Sequence, residues 1–187
     1  EYTLVACADY VLSHTKGNTV SNLSSTRALR DVTAKHGGTY TASAVGEVNV
    51  VAAMKANNAI IGGEGNGGII LPESHYGRDA LVGIALFLSL LAEKQMSVSS
   101  LKKTYPLYFM SKKKIDLNPS LDVDALLSAM EKSYQNDTLT TVDGVKIDFI
   151  DSWVHLRKSN TEPIIRIYTE ATSQAQADAL ADRFISE

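Results

Sequence analysis

The chain has little of what would tie it to an oxidising compartment, a bilayer or nucleic acid. It has one cysteine, Cys7, so no intramolecular disulfide can form, and a lone thiol suits a reducing compartment. No signal peptide is evident. The most apolar helical stretch, Leu81 to Leu91, is interrupted by Gly83 and Ser89 and followed by Glu93-Lys94-Gln95, which is too short to span a bilayer. Basic residues are not in excess. Lys and Arg number 18 against 21 Asp and Glu, a net charge of -3, which argues against broad nucleic-acid binding and leaves room for a local basic pocket. A cytoplasmic protein with no membrane or nucleic-acid partner is expected.

Metal-ligand patterns are also missing. His14, His36, His75 and His155 are scattered without zinc spacing, and Asp116, Asp122 and Asp124 do not make a calcium loop. No residue is an obvious nucleophile, so neither a catalytic residue nor a metal ligand is assigned. What is present is an ordinary globular composition, 44% hydrophobic and 21% charged over 187 residues, enough for one domain or two small ones. The chain opens on Glu1-Tyr2-Thr3-Leu4 without an initiator Met, which reads as a fragment or a processed product.

Two blocks follow from the patterning. Residues 1–97 alternate helical and extended segments. Leu4, Ala8, Val11 and Leu12 fall at helical spacing, Thr19 to Ser21 is a strand, and Ser24 or Ser25 caps the next helix. Thr39 to Ala42 reads as extended, and Val48, Val51 and Met54 carry a helical stripe. A short strand, Ala59 to Ile61, enters a glycine-rich loop at Gly62 to Gly68, and Ile69 to Leu71 leaves it. Asp79 caps a helix bearing Leu81, Ile84, Ala85, Leu88 and Leu91. That alternation predicts an α/β layer. Residues 98–187, after a linker over 96–106, read as an antiparallel sheet with helices on one face: extended segments at 107–115, 145–149, 153–156 and 164–168, a hairpin turn at Asp143-Gly144, and helices carrying Val123, Leu126, Leu127 and Met130, then Ala177, Leu180, Ala181 and Phe184.

Two polar loops carry the chemistry. Arg157-Lys158-Ser159-Asn160-Thr161-Glu162-Pro163, with Arg166 just beyond, sets two guanidinium groups around a short polar turn between strands. Arginine forks and hydroxyl or amide donors suit a phosphate, and Pro163 stiffens the turn. Glu162 would repel a bare phosphate, so it orients an arginine or closes the turn. Spacing alone leaves a charged surface hairpin open. In Gly62 to Gly68, which lacks the Lys-Ser/Thr of a nucleotide loop, Glu64 and Asn66 suit adjacent sugar hydroxyls. An acidic surface loop is the competing reading there. Glu47 reads as a first-turn carboxylate facing helix N–H groups. His75 is a loop histidine open to a ligand, and Lys112-Lys113-Lys114 is a solvated face that could add to the field of Arg157 if folded beside it.

Together Arg157 to Pro163, Asp143-Gly144-Val145-Lys146 with Trp153, Gly63-Glu64-Gly65-Asn66-Gly67 and Gly46-Glu47-Val48-Asn49 closely resemble the C-terminal half of the α-D-phosphohexomutases, the phosphoglucomutase, phosphomannomutase and phosphoglucosamine mutase group. The resemblance implies a mixed-sheet α/β domain 3 over residues 1–97 and a TATA-binding-protein-like α+β domain 4 over residues 98–187. It implies that Glu64 and Asn66 hold sugar hydroxyls, and that Arg157, Ser159, Asn160, Thr161 and Arg166 hold the phosphate that is not transferred. Many members have Ser where this chain has Asn66, which leaves the preferred sugar open.

The resemblance also implies an activity for the whole enzyme: interconversion of hexose 1-phosphate and hexose 6-phosphate through a phosphoserine and a bisphosphorylated sugar. Mg2+ and a glucose or mannose bisphosphate-type activator go with it. The phosphoserine segment of the Thr-Ala-Ser-His-Asn-Pro type and the Asp-x-Asp-x-Asp-Arg metal loop are absent from this chain. The partners implied are therefore a phosphorylated hexose and the missing N-terminal domains of the same polypeptide, and the fragment alone is expected to be inactive. A noncatalytic phosphosugar-binding or sensor module is the alternative.

Overall fold

The computed structural model describes residues 1–116, 122–159 and 162–186, in two compact units, Glu1–Leu107 and Tyr108–Glu187. In the first unit β1 (Asn18–Asn22) lies between two parallel neighbours, β2 (Tyr40–Ser43) and β3 (Ala59–Glu64), and β4 (Gly68–Ile70) runs antiparallel to β3. Side chains alternate along β1, so both faces are covered. Val20 packs with Val50 and Met54 of α3 (Glu47–Ala56) and with Ile70. Thr19 points the opposite way, and its hydroxyl lies 2.6 Å from that of Thr33 on α2 (Ala28–Lys35). The two crossover helices thus lie on opposite faces, because right-handed connections from β1 to β2 and from β2 back to β3 run in opposite directions along the sheet.

The remaining helices of this unit are α1 (Tyr2–His14), α4 (Ala80–Lys94) and the short α5 (Val98–Lys102). α1 buries Leu4, Val5, Ala6, Cys7, Ala8 and Leu12, and burial pushes the Cys7 thiol up to about 12, leaving it chemically quiet. α4 packs along α1 and approaches β4 at Gly83, where a Cβ would meet the Ile69 side chain at 2.8 Å. After α5, the Tyr105 hydroxyl donates to Asp9 Oδ2 at 3.0 Å and ties this segment back to α1. No helix among the described residues is long and apolar enough to cross a membrane.

The second unit is an antiparallel sheet in the order β5 (Phe109–Asp116), β9 (Ile164–Ala171), β8 (Trp153–Lys158), β7 (Val145–Asp148) and β6 (Thr138–Thr140). Val145, Ile147, Val154, Leu156, Ile165 and Ile167 line one face and meet Val123 and Met130 of α6 (Val123–Ser133) and Phe184 of α7 (Gln174–Ser186). The expected architecture, a mixed α/β layer followed by an α+β layer with helices on one face, is the one found.

Four local expectations need correction. α2 begins at Ala28 behind Arg27, with no side-chain cap, because the Ser24 amide and the Ser25 hydroxyl are both drawn to Asn22. In α3 the inward pair is Val50 and Met54, while Val48 is 81% exposed; adjacent valines gave the helix two apolar stripes, and the sheet takes the second. β3 continues through Gly62 and Gly63 to Glu64, so the first half of the glycine-rich run is strand, with Gly63 at a φ of 154°. In α4 the apolar residues read at helical spacing are largely outward: Leu81, Ile84 and Leu88 are 78, 54 and 57% exposed, and Gly83 and Leu90 are buried. A helix apolar all round does not declare its buried face.

The Asp79 cap is as expected, its carboxylate accepting from the Leu81 and Val82 amides at 2.8 and 3.0 Å. Asp79→Ala should lower stability through loss of the cap, seen as a reduced urea midpoint with an unchanged slope.

Candidate functional site

In an open α/β sheet, ligands collect beyond the carboxyl ends of the parallel strands, where successive connections diverge. Here that place lies between β1 and β3, whose last residues are Asn22 and Glu64. Glu64 is only 5% exposed and is held by two amide donors and one ion pair. Oε1 accepts from Asn22 Nδ2 at 2.8 Å. Oε2 receives Asn66 Nδ2 at 3.4 Å and lies 3.5 Å from Arg78 Nη1. Asn22 is itself fixed, its Oδ1 accepting from the Ser24 amide at 3.1 Å and the Ser25 hydroxyl at 2.8 Å. Ser25 Oγ in turn accepts from the Gly65 amide at 2.8 Å, which ties the hairpin to the turn after β1.

Asn66 does two jobs in the hairpin, since its Oδ1 also accepts from the Gly68 amide at 3.0 Å. Gly67, at a φ of 100°, supplies the left-handed step that closes the turn. Glu47 stands in the first turn of α3, yet its carboxylate faces Arg78 instead of helix N–H groups. Oε1 accepts the Arg78 backbone amide at 3.1 Å and Oε2 the Arg78 Nε–H at 2.8 Å. The amide first, and the guanidinium second, hold the Glu47 carboxyl below its ordinary range. His75 Nε2 pairs with Asp79 Oδ2 at 3.0 Å, beside this cluster.

In the second unit the register sets Lys114 opposite Arg166, and Arg166 opposite Arg157. Directly opposed residues share a face, so three cations line one rung across β5, β9 and β8, an arrangement that is unfavourable without an anion. Glu162 Oε2 accepts from Arg166 Nη2 at 2.6 Å and Asp116 lies 3.5 Å from Lys114. Arg157 has no carboxylate partner among the described residues, and its buried Nε–H has no acceptor among them. Ser159, 7% exposed, follows, its amide donating to the Ile164 carbonyl at 2.9 Å. Asn160 and Thr161 lie outside the described residues. Gly144, at a φ of 69°, lies against β8: a Cβ there would come within 2.2 Å of the Leu156 carbonyl oxygen and 2.9 Å of Arg157 Cβ.

Two family models divide the chain as the fold does. The phosphoglucomutase/phosphomannomutase alpha/beta/alpha domain III matches residues 1–108, and the phosphoglucomutase/phosphomannomutase C-terminal domain matches residues 112–187. The chain belongs to the phosphoglucomutase/phosphomannomutase family. A phosphoglucosamine/phosphogalactosamine mutase of Sulfurisphaera tokodaii is 35% identical, covering 87% of this chain and 36% of its own length. A phosphoglucomutase/phosphomannomutase of Thermococcus kodakarensis is also 35% identical, over 94% of this chain and 39% of its own length. In the solved structure of a phosphoglucomutase/phosphomannomutase family protein from Burkholderia thailandensis the fold recurs with a TM-score of 0.79 at 23% identity, over 98% of this chain and 40% of that one. The chain therefore spans roughly two fifths of the length of these relatives.

Of the residues singled out in the sequence, Glu64 and Asn66 meet in the first unit, and Arg157 and Arg166 stand opposite one another in the second, with Ser159 two positions beyond Arg157. Sequence reasoning missed Asn22, Ser25 and Arg78, and it gave Lys114 no definite place. A polar residue closing a short parallel strand was the available signal for Asn22. Arg78, ahead of a capping Asp, carries no pattern that marks it.

His155 lies on β8 two positions before Arg157 and is 1% exposed. Its Nε2 is 2.6 Å from the Asp143 carbonyl, which can only accept, so Nε2 bears the proton. Burial, with Lys146 and Arg157 nearby, lowers its pKa to about 4 from 6.5. The unfolded chain then binds a proton that the folded chain refuses, so stability falls as pH drops from about 6.5 to about 4. The slope from this group approaches about 1.4 kcal/mol per pH unit. His155→Gln should flatten that component in urea unfolding measured across the window; an unchanged slope would refute it.

Proposed function

We propose that this chain is the substrate-holding part of a phosphohexomutase that interconverts hexose 1-phosphate and hexose 6-phosphate through a phosphoserine and a bisphosphorylated sugar. The first unit binds sugar hydroxyls through Glu64 and Asn66. The second binds the phosphate that is not transferred, through Arg157, Ser159, Asn160, Thr161 and Arg166. The observation that carries this reading is the rung Lys114–Arg166–Arg157, with a buried Arg157 donor that has no acceptor among the described residues. A buried donor left unpaired costs about 1–3 kcal/mol, and an anion with several acceptor oxygens relieves both that cost and the repulsion between the cations.

A phosphate grip separate from the reacting centre lets one enzyme take a sugar phosphate in two orientations. Whichever phosphate is not reacting is anchored, and hydroxyl acceptors serve the ring either way round. Transfer itself needs a nucleophile and a magnesium ion, which offsets charge on the moving phosphoryl group. No three His, Cys, Asp or Glu side chains converge as metal ligands among the described residues. Because the sequence lacks the phosphoserine segment and the aspartate metal loop that the resemblance calls for, the reading assigns the Mg2+ ligands and the phosphoserine to a part of the enzyme outside this chain, and a glucose or mannose bisphosphate-type activator to the complete protein.

Two measurements test this. Incubated with glucose 1-phosphate or mannose 1-phosphate and Mg2+, the chain alone should show no turnover; turnover would overturn the division of labour. In calorimetric titration with the same sugars, Arg157→Ala should weaken binding by about 2 kcal/mol, roughly 30-fold. Equal affinity of the variant and the wild type would overturn the phosphate role.

A further inference from the structure

Arg78 is the cation that meets the buried Glu64 carboxylate, and three features on three segments fix where it can reach. Glu47 grips it twice, through its backbone amide and through Nε–H. The remaining arm of the guanidinium extends to Glu64 Oε2. Its aliphatic stem runs over the backbone of Gly68, where a Cβ would lie 2.5 Å from Arg78 Cδ and 3.1 Å from Cγ. A glycine at the start of β4 is thus the condition for the stem to cross the hairpin.

We propose that Arg78 is the positioning residue of the Glu64 carboxylate and sets the direction in which Glu64 can accept a sugar hydroxyl; this rests on the reading of Glu64 as a hydroxyl acceptor. A carboxylate offers about four lone-pair directions. Asn22 takes one on Oε1, while Asn66 and Arg78 converge on Oε2. With the Asn22 hydrogen bond on Oε1 and Arg78 paired with Oε2, the carboxylate plane is fixed, and with it the direction in which Glu64 can accept from a ligand. One fixed acceptor direction separates sugars that differ in the orientation of a hydroxyl, because the wrong epimer leaves a polar group without its partner.

The planar fork is essential to this role. One nitrogen of the guanidinium serves Glu47 while another serves Glu64, and a lysine ammonium, a single point charge, cannot span the two in that geometry. Arg78 therefore links the first turn of α3 to the Glu64 hairpin. Loss of the fork frees the Glu64 carboxylate to turn about its last torsion, even where the positive charge is kept.

Arg78 is half-exposed, so its substitution is compatible with folding. The test uses the ligand-free chain first, with 13C and 15N spectra of side-chain carboxylates and amides for wild type, Arg78→Lys and Arg78→Gln. Both variants should shift Glu64 Cδ and the Asn66 and Asn22 side-chain amides, and in Arg78→Gln the Glu47 titration should move up toward the ordinary carboxylate range. Unchanged Glu64 and Asn66 signals would overturn the proposal. Titration with glucose 1-phosphate, mannose 1-phosphate and inorganic phosphate follows. Arg78→Lys should change the ratio of the two sugar affinities at least five-fold and leave inorganic phosphate binding unaltered; equal weakening of all three would overturn the positioning role. Should the wild type bind both sugars no better than phosphate while the ligand-free shifts appear, the hydroxyl reading of Glu64 fails and the Arg78–Glu64 linkage stands.

Discussion

A carboxylate removed from water has to find donors, and Glu64, at the last position of β3, finds them on three separate segments of chain. Asn22 comes from the end of the neighbouring parallel strand, Asn66 from the hairpin that follows, and Arg78 from the approach to α4. The positions of these donors determine much else. Ser24 and Ser25 serve Asn22 instead of capping α2. Glu47 leaves its own helix terminus to hold Arg78. Glycines stand at 67 and 68, where the turn needs a left-handed step and the arginine stem needs an open backbone. Desolvating one charge has organised the whole carboxyl end of the sheet.

The second unit meets the opposite problem. Antiparallel register lines up Lys114, Arg166 and Arg157, and the sheet cannot separate them without slipping a residue and turning its core face outward. Two carboxylates relieve two of the cations. His155, next on the same face of β8, is kept neutral by burial and adds no fourth charge. The field that results is fixed by strand pairing.

The fold was largely legible because its signals are local. Strand alternation around Asp143-Gly144, the helical spacing of Val123 to Met130, the Asp79 cap and the order of elements all survive into the structure. Facing was less legible. α3 and α4 are apolar on more than one side, and only the tertiary contacts decide that Val50 turns inward and Leu81 outward. The sites were half legible. Glu64, Asn66 and the arginines stand in or beside two conspicuous polar runs of the sequence, whereas Asn22 and Arg78 reach Glu64 from 42 and 14 residues away along the chain, a proximity no spacing rule encodes.

Gly144 gives this a practical edge. It contacts no ligand in any reading offered above, yet the absence of its side chain lets β8 pass close beneath the turn and so fixes where Arg157 emerges. A methyl group added there would meet backbone, which has no rotamer to yield, and the strand itself would have to retreat. The position of the Arg157 charge is therefore inherited through a residue with no chemistry of its own. A scan based on side-chain type would pass over it, and a substitution there would register as a displaced Arg157.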